Sequence, residues 1–150
     1  MRLGRGPVLA AALALAALAP AGAAGKWLVP MDDRQTDHLK AYGLAYWSLE
    51  QGHRAEWLLN YRAGAFLLPD DDAIRREANV RGVALEPMGG AEEAAMRAEI
   101  ADENMEAVAL EKAPRIAVYI PPNTPPWDDA VTLALDYAGI PYARVWDEEV

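Results

Sequence analysis

The chain contains no cysteine in its 150 residues. That excludes disulfides, a thiol nucleophile, Fe–S clusters and cysteine-ligated zinc. Histidine is almost as scarce, with only His38 and His53, so no multi-histidine metal site is expected and no cofactor is indicated. Also missing are a phosphate-cradling glycine loop, a His-Glu-x-x-His pair and a Gly-x-Ser-x-Gly elbow. Asp70-Asp71-Asp72 lacks the alternating acid spacing of a calcium loop and reads as a solvated helix start. Basic residues are in deficit, 14 against 23 acidic, for a net charge of −9 at pH 7. A surface of that sign repels nucleic acid and anionic membrane. Such a surface tolerates cations or neutral ligands, and a small-molecule ligand is a possible partner.

What the chain does have begins at its first residue. Arg2 and Arg5 form a positive start, Val8 to Ala19 is a 12-residue apolar run, and Pro20 breaks it. Ala21-Gly22-Ala23 supplies the small residues that a signal peptidase reads, with cleavage after Ala23 or Ala24. A membrane-spanning helix needs roughly 20 apolar residues, so an uncleaved anchor is the weaker reading. No cysteine follows the run to carry a lipid. Residues 1–23 are therefore expected to be a signal peptide and 24–150 a periplasmic or secreted domain with no membrane anchor. Without the two signal arginines the remainder holds 12 basic and 23 acidic residues, a net of −11. About 125 residues without disulfides is enough for one domain held by core burial.

Lys26 to Pro30 reads as a buried strand, and Gln35 to Gln51 carries apolar residues at helical spacing up to Gly52. Ala55 to Asn60 returns to a strand, completing a βαβ-sized unit. Arg62-Ala63-Gly64 is a turn, Ala65 to Leu68 a brief strand, and Asp70 to Arg81 a helix closed by Gly82. Val83 to Glu86 suits a short strand, and Ala91 to Leu110 has helix composition throughout. Arg115 to Ile120 is a β-branched strand, followed by a proline-stiffened loop, a helix from Trp127 to Ala138, and a last strand, Tyr142 to Trp146. Alternating strands and helices predict an α/β fold: a layered, largely parallel sheet with flanking helices, built from βαβ units. Nothing after Trp146 would cover that last strand, so the sheet is expected to be incomplete at the C-terminus and the chain to be the front part of a longer protein.

The residues Met31-Asp32-Asp33, Gln35, His38 to Gly43, Tyr46-Trp47 and Trp57 to Arg62 resemble secreted bacterial proteins labelled asparagine synthetase B. Ile116 to Tyr119, Trp127 to Leu135 and Ile140-Pro141-Tyr142 are similar to the same group. Its members are longer, and their second half is similar to the class I glutamine amidotransferase-like α/β fold. The resemblance implies amidotransferase- or hydrolase-like chemistry, and the label implies glutamine-dependent asparagine synthesis. Those reactions use a cysteine that attacks glutamine, and the synthetase adds a Ser-Gly-Gly-rich pyrophosphate loop. This chain has neither. Kinship therefore suggests the N-terminal part of such a protein, a binding or scaffold region without its own nucleophile. The alternative is an enzyme whose catalytic residues lie further downstream.

Ligands of open parallel sheets bind beyond the carboxyl ends of strands. The loop after the first strand places Asp32, Asp33, Gln35 and His38 there, a set able to bind a ligand or exchange protons. The same residue types also cap helices, and both readings stand at this point. Asn60 and Arg62 end the second strand, and the planar fork of Arg62 suits either Asp32 or a ligand carboxylate. Asn123, in the loop after the β-branched strand, completes the candidate ligand-binding set. Trp27, Trp47, Trp57 and Trp127 would either fill core or form a sugar-stacking surface.

Overall fold

A computed structural model describes residues 25–121 and 130–147. Residues 1–23, where a signal peptide was expected, and Asn123 lie outside these residues. Strand β1 (Lys26–Val29) leads into helix α1 (His38–Glu50), followed by β2 (Ala55–Leu59), a short 3-10 turn (Tyr61–Ala63) and β3 (Phe66–Pro69). Helix α2 (Asp72–Arg81), β4 (Glu86–Met88), helix α3 (Gly90–Asp102) and β5 (Glu106–Leu110) complete the first body of structure. Strand β6 (Ala117–Tyr119), helix α4 (Ala130–Ala138) and β7 (Ala143–Val145) follow.

Local chemistry sets the helix ends. The Asp37 carboxylate accepts from Lys40 N–H (3.0 Å) and starts α1, and Asp71 accepts from Ala73 N–H (2.6 Å) to start α2. Gly82, at φ 71°, takes the left-handed position that closes α2, where a side chain would be strained.

The expected parallel sheet is not what forms. Five strands lie in the order β4-β1-β3-β2-β5, and every pairing in this sheet is antiparallel. Strands β1 and β2 do run the same way, as a βαβ unit requires, but β3 is inserted between them and pairs with both. The cause is the short connection from β2 to β3. A parallel return needs a dozen or more residues, whereas the six from Asn60 to Ala65 permit only a hairpin. The result is two interleaved βαβ units, the β-α-β-β-α-β topology of ferredoxin-like sheets, extended here by α3 and the added edge strand β5.

A second correction concerns residues 91–110, which form helix only to Asp102. Asn104 sits at φ 53° and turns the chain, and Glu106 to Leu110 then pair along the whole of β2. Helix composition is a weak prior that this tertiary pairing overrides.

Strand alternation sends neighbouring side chains to opposite faces. Val29, Phe66 and Leu68 pack with Leu44 of α1 and Ile74 and Ala78 of α2. Leu28, Leu58, Leu67 and Met88 pack with Met96 and Ile100 of α3. The sheet is thus the middle of three layers. Among the described residues parallel pairing survives only in β6 and β7, a separate two-stranded sheet joined by α4. That unit is held to the first by α1. Gly43 of α1 lies so close to α4 that an added Cβ would stand 1.9 Å from the Ala138 carbonyl oxygen. Around this contact Arg81 donates to Ala138 O (2.9 Å), Lys40 donates to Tyr137 O, and the Tyr137 hydroxyl donates to Asp37 Oδ2 (2.5 Å).

Candidate functional site

Because β1 and β2 run in one direction and β4 in the opposite one, the loops after β1 and β2 meet the start of β4 at one edge. The loop after β1 is shaped by its own side chains. Asp32 Oδ1 accepts from Arg34 N–H (3.1 Å), and Asp32 O accepts from Gln35 N–H (2.9 Å). The loop after β2 is strained: Asn60, Arg62, Ala63 and Gly64 all have positive φ, at 64°, 45°, 62° and 93°. Left-handed geometry costs a non-glycine residue roughly 1–2 kcal/mol, so contacts elsewhere must hold this turn.

Arg62 makes those contacts. Its Nε and Nη2 donate to Asp32 Oδ2 (2.6 Å) and Oδ1 (3.1 Å), and its Nη1 and Nη2 donate to Glu86 Oε2 (2.5 Å) and Oε1 (3.1 Å). Two carboxylates are gripped by one planar fork, the geometry for which arginine is suited. Arg34, itself exposed, adds a bond to Glu86 Oε1 (3.1 Å). The main chain joins in, with Met31 N–H donating to Arg62 O (3.3 Å). The Arg62 bonds, opposed by some desolvation, hold the Asp32 and Glu86 carboxyls below their ordinary range, and the same bonds raise Arg62.

The pairing of Asp32 with Arg62, one of two roles open to that arginine in the sequence, is present. The other candidates separate. Gln35, only 3% exposed, is a structural pin: Nε2 donates to Pro30 O (3.1 Å), and Oε1 accepts from Ala84 N–H (3.1 Å). His38 Nε2 donates to Met31 O (2.9 Å), and no hydrogen bond or ion pair joins it to Asp32 or Asp33 among the described residues. Asp33 is exposed with no partner among the described residues, and Asn60 is exposed at its left-handed turn with no capping bond from its side chain.

Glu86 escaped the sequence reading. It sits in a three-residue strand before a proline, with no local pattern to mark it, and only the placement of β4 beside β1 brings it to the cluster. The tryptophans also resolve. Trp27, Trp47 and Trp57 are half-buried against the core, and Trp57 stacks on Phe66 and donates from Nε1 to Gly64 O (3.1 Å). These three therefore make no open stacking surface, and Trp127 lies outside the described residues.

Chemically the cluster is closed. Four of the five Arg62 N–H groups are committed, and its two carboxylates are poor proton acceptors near neutral pH. Among the described residues no group of three or more His, Asp or Glu could hold a metal ion, and no helix is long and apolar enough to cross a membrane. No family model, curated protein or solved structure matches the chain.

Proposed function

We propose that this chain is the binding or scaffold region of an exported protein, kin to the secreted proteins labelled asparagine synthetase B, and that it has no nucleophile of its own. The observation that carries this reading is the self-neutralised cluster of Asp32, Arg62, Glu86 and Arg34. It occupies the edge where a site was expected, yet its two carboxylates and the Arg62 fork are spent on one another and lock three loops together. Such a cluster supports a rigid frame better than a reaction.

Two measurements test the proposal. Expressed in a bacterial host, the chain should appear in the osmotic-shock fraction with a mass beginning at residue 24 or 25; an uncleaved cytoplasmic product would overturn export. Incubated with glutamine, aspartate, ATP and Mg²⁺, the purified chain should release neither ammonia nor asparagine, and formation of either would overturn the scaffold reading.

One observation favours the alternative of an amidotransferase- or hydrolase-like enzyme with catalytic groups on further polypeptide. Parallel sheets are normally covered on both faces. The β6–β7 pair is mostly exposed, and α4 leaves Val131, Leu133 and Tyr137 in solvent. An additional layer over this unit would complete the sheet and could bring a nucleophile with it.

A further inference from the structure

We infer that a notch between β2 and β3, at the opposite end of the sheet from the Arg62 cluster, binds a short zwitterionic peptide. The notch has a covalent cause. Leu58 N–H donates to Ala65 O (2.8 Å), and hydrogen-bonded pairs recur at every second residue of an antiparallel ladder. Glu56 with Leu67 is the next such pair, and Arg54 with Pro69 would follow. Proline has no N–H to give, and Pro69 O is already taken by Asp71 N–H (3.0 Å). Pairing of β2 with β3 accordingly stops at Glu56 and Leu67, while β1 follows β3 on to Pro69 and β5 follows β2 on to Ala55. The main chain of Arg54 is left facing the gap with no partner among the described residues.

A cavity of ≈ 300 Å³ opens there, the lower end of the size range of small-ligand pockets. Strand alternation points Lys26, Arg54, Glu56, Leu67, Pro69 and Glu111 to its side of the sheet. Leu67 and Pro69 supply an apolar floor. Lys26 and Glu56 are committed to α3, Lys26 to Glu93 at 2.7 Å and Glu56 to Arg97 at 2.9 Å. Arg54 and Glu111 are different. They continue the Ala55–Leu110 register and so face each other across the two strands, yet among the described residues neither has an ion-pair or hydrogen-bond partner.

The cavity thus offers a free guanidinium, a free carboxylate and an unpaired main-chain N–H and C=O over an apolar floor. An extended dipeptide matches all of these. Its carboxylate meets Arg54, its ammonium meets Glu111, and its amide supplies the ladder step that Pro69 cannot. This gives the binding reading above a ligand class and rests on it only to that extent. Failure here would leave the export and ammonia-release outcomes untouched.

The test is calorimetric titration of the mature chain with L-alanyl-L-alanine, its N-acetyl form and its C-terminal amide. Saturable binding of the free dipeptide is expected, weakened about tenfold or more by either blocking group. Arg54→Gln should weaken the free dipeptide to a similar degree and change binding of the amide little, with Glu111→Gln showing the same relation to the acetylated form. Both positions are exposed, and melting temperatures matching the parent confirm that the variants fold. Pro69→Ala, which returns the missing N–H, should close the notch and reduce binding. Absence of saturation up to about 10 mM dipeptide, or binding indifferent to both charge variants, would overturn the inference.

Discussion

Gly43→Ala separates local preference from tertiary packing. In the middle of an exposed helix this change stabilises by about 1 kcal/mol, because glycine gives up more backbone freedom than alanine. In α1 the opposite is expected. The new Cβ would lie 1.9 Å from Ala138 O, 2.9 Å from Ala138 C and 2.8 Å from Arg81 Nη1. The arginine tip can swing away, but the backbone carbonyl cannot, so α4 must retreat by more than an ångström. Inserting atoms into a packed contact costs about 1–3 kcal/mol. Retreat also stretches the Arg81–Ala138 O and Tyr137–Asp37 bonds. Against the helix-propensity gain, a net loss of about 2 kcal/mol follows. Its location is as informative as its size. Amide exchange should accelerate across Ala130–Ala138, while β1 and β3 at the centre of the large sheet keep their protection, since α4 contributes no described residue to either core cluster. Denaturant titration and hydrogen exchange read both quantities. A stabilised variant with unchanged exchange in α4 would refute the close α1–α4 approach.

Acid should weaken the fold through its arginine- and lysine-held carboxylates. Arg62 holds Asp32 and Glu86 below their ordinary values, Arg97 holds Glu56, and Lys26 chiefly holds Glu93. The unfolded chain therefore binds more protons, so this stability is complete above the unfolded values of 3.8 and 4.5 and is lost as pH falls through the lower folded ones. Urea midpoints should be flat from neutral pH to about 5 and drop below about 4; a midpoint unchanged at pH 3 would contradict these pairings. Asp71→Ala removes the cap on Ala73 N–H and should cost about 1 kcal/mol, seen as a lower urea midpoint with an unchanged slope.

Much of the element order was legible because it rests on local chemistry. The α1 periodicity, the Asp-started α2 and the glycines after both helices are short-range signals, and the structure places elements there. Sheet direction was not read correctly, although its cause was visible. Arg62-Ala63-Gly64 reads as a turn between two strands, and a turn that short permits only a hairpin. Residues 106–110 were misread because alanine, glutamate and leucine favour helix, whereas pairing with β2 decides otherwise. The Asp32–Arg62 pair was within reach because each residue ends a strand of one βαβ unit. Glu86 was beyond reach, since it joins them only through a strand order set by the whole sheet. Gln35, a candidate ligand-binding residue in the sequence, lies buried and bonded to Pro30 and Ala84. Its role depends on Ala84, 49 residues away, which no local spacing reveals.

The claim that Asp32, Arg62 and Glu86 form a frame is tested most directly by a double-mutant cycle of Asp32→Asn and Arg62→Gln. Breaking a fully buried ion pair costs about 3–5 kcal/mol, and an exposed pair is worth at most about 1 kcal/mol. Arg62 is 19% exposed and its partners 35% and 29%. Solvent screening at the carboxylates brings the expectation to about 2 kcal/mol for Arg62→Gln and somewhat less for Asp32→Asn. The double variant should lose less than the two combined, with a coupling of about 1 kcal/mol. Single variants that melt with the parent, with no coupling between them, would contradict the frame and return this edge of the sheet to consideration as a ligand site.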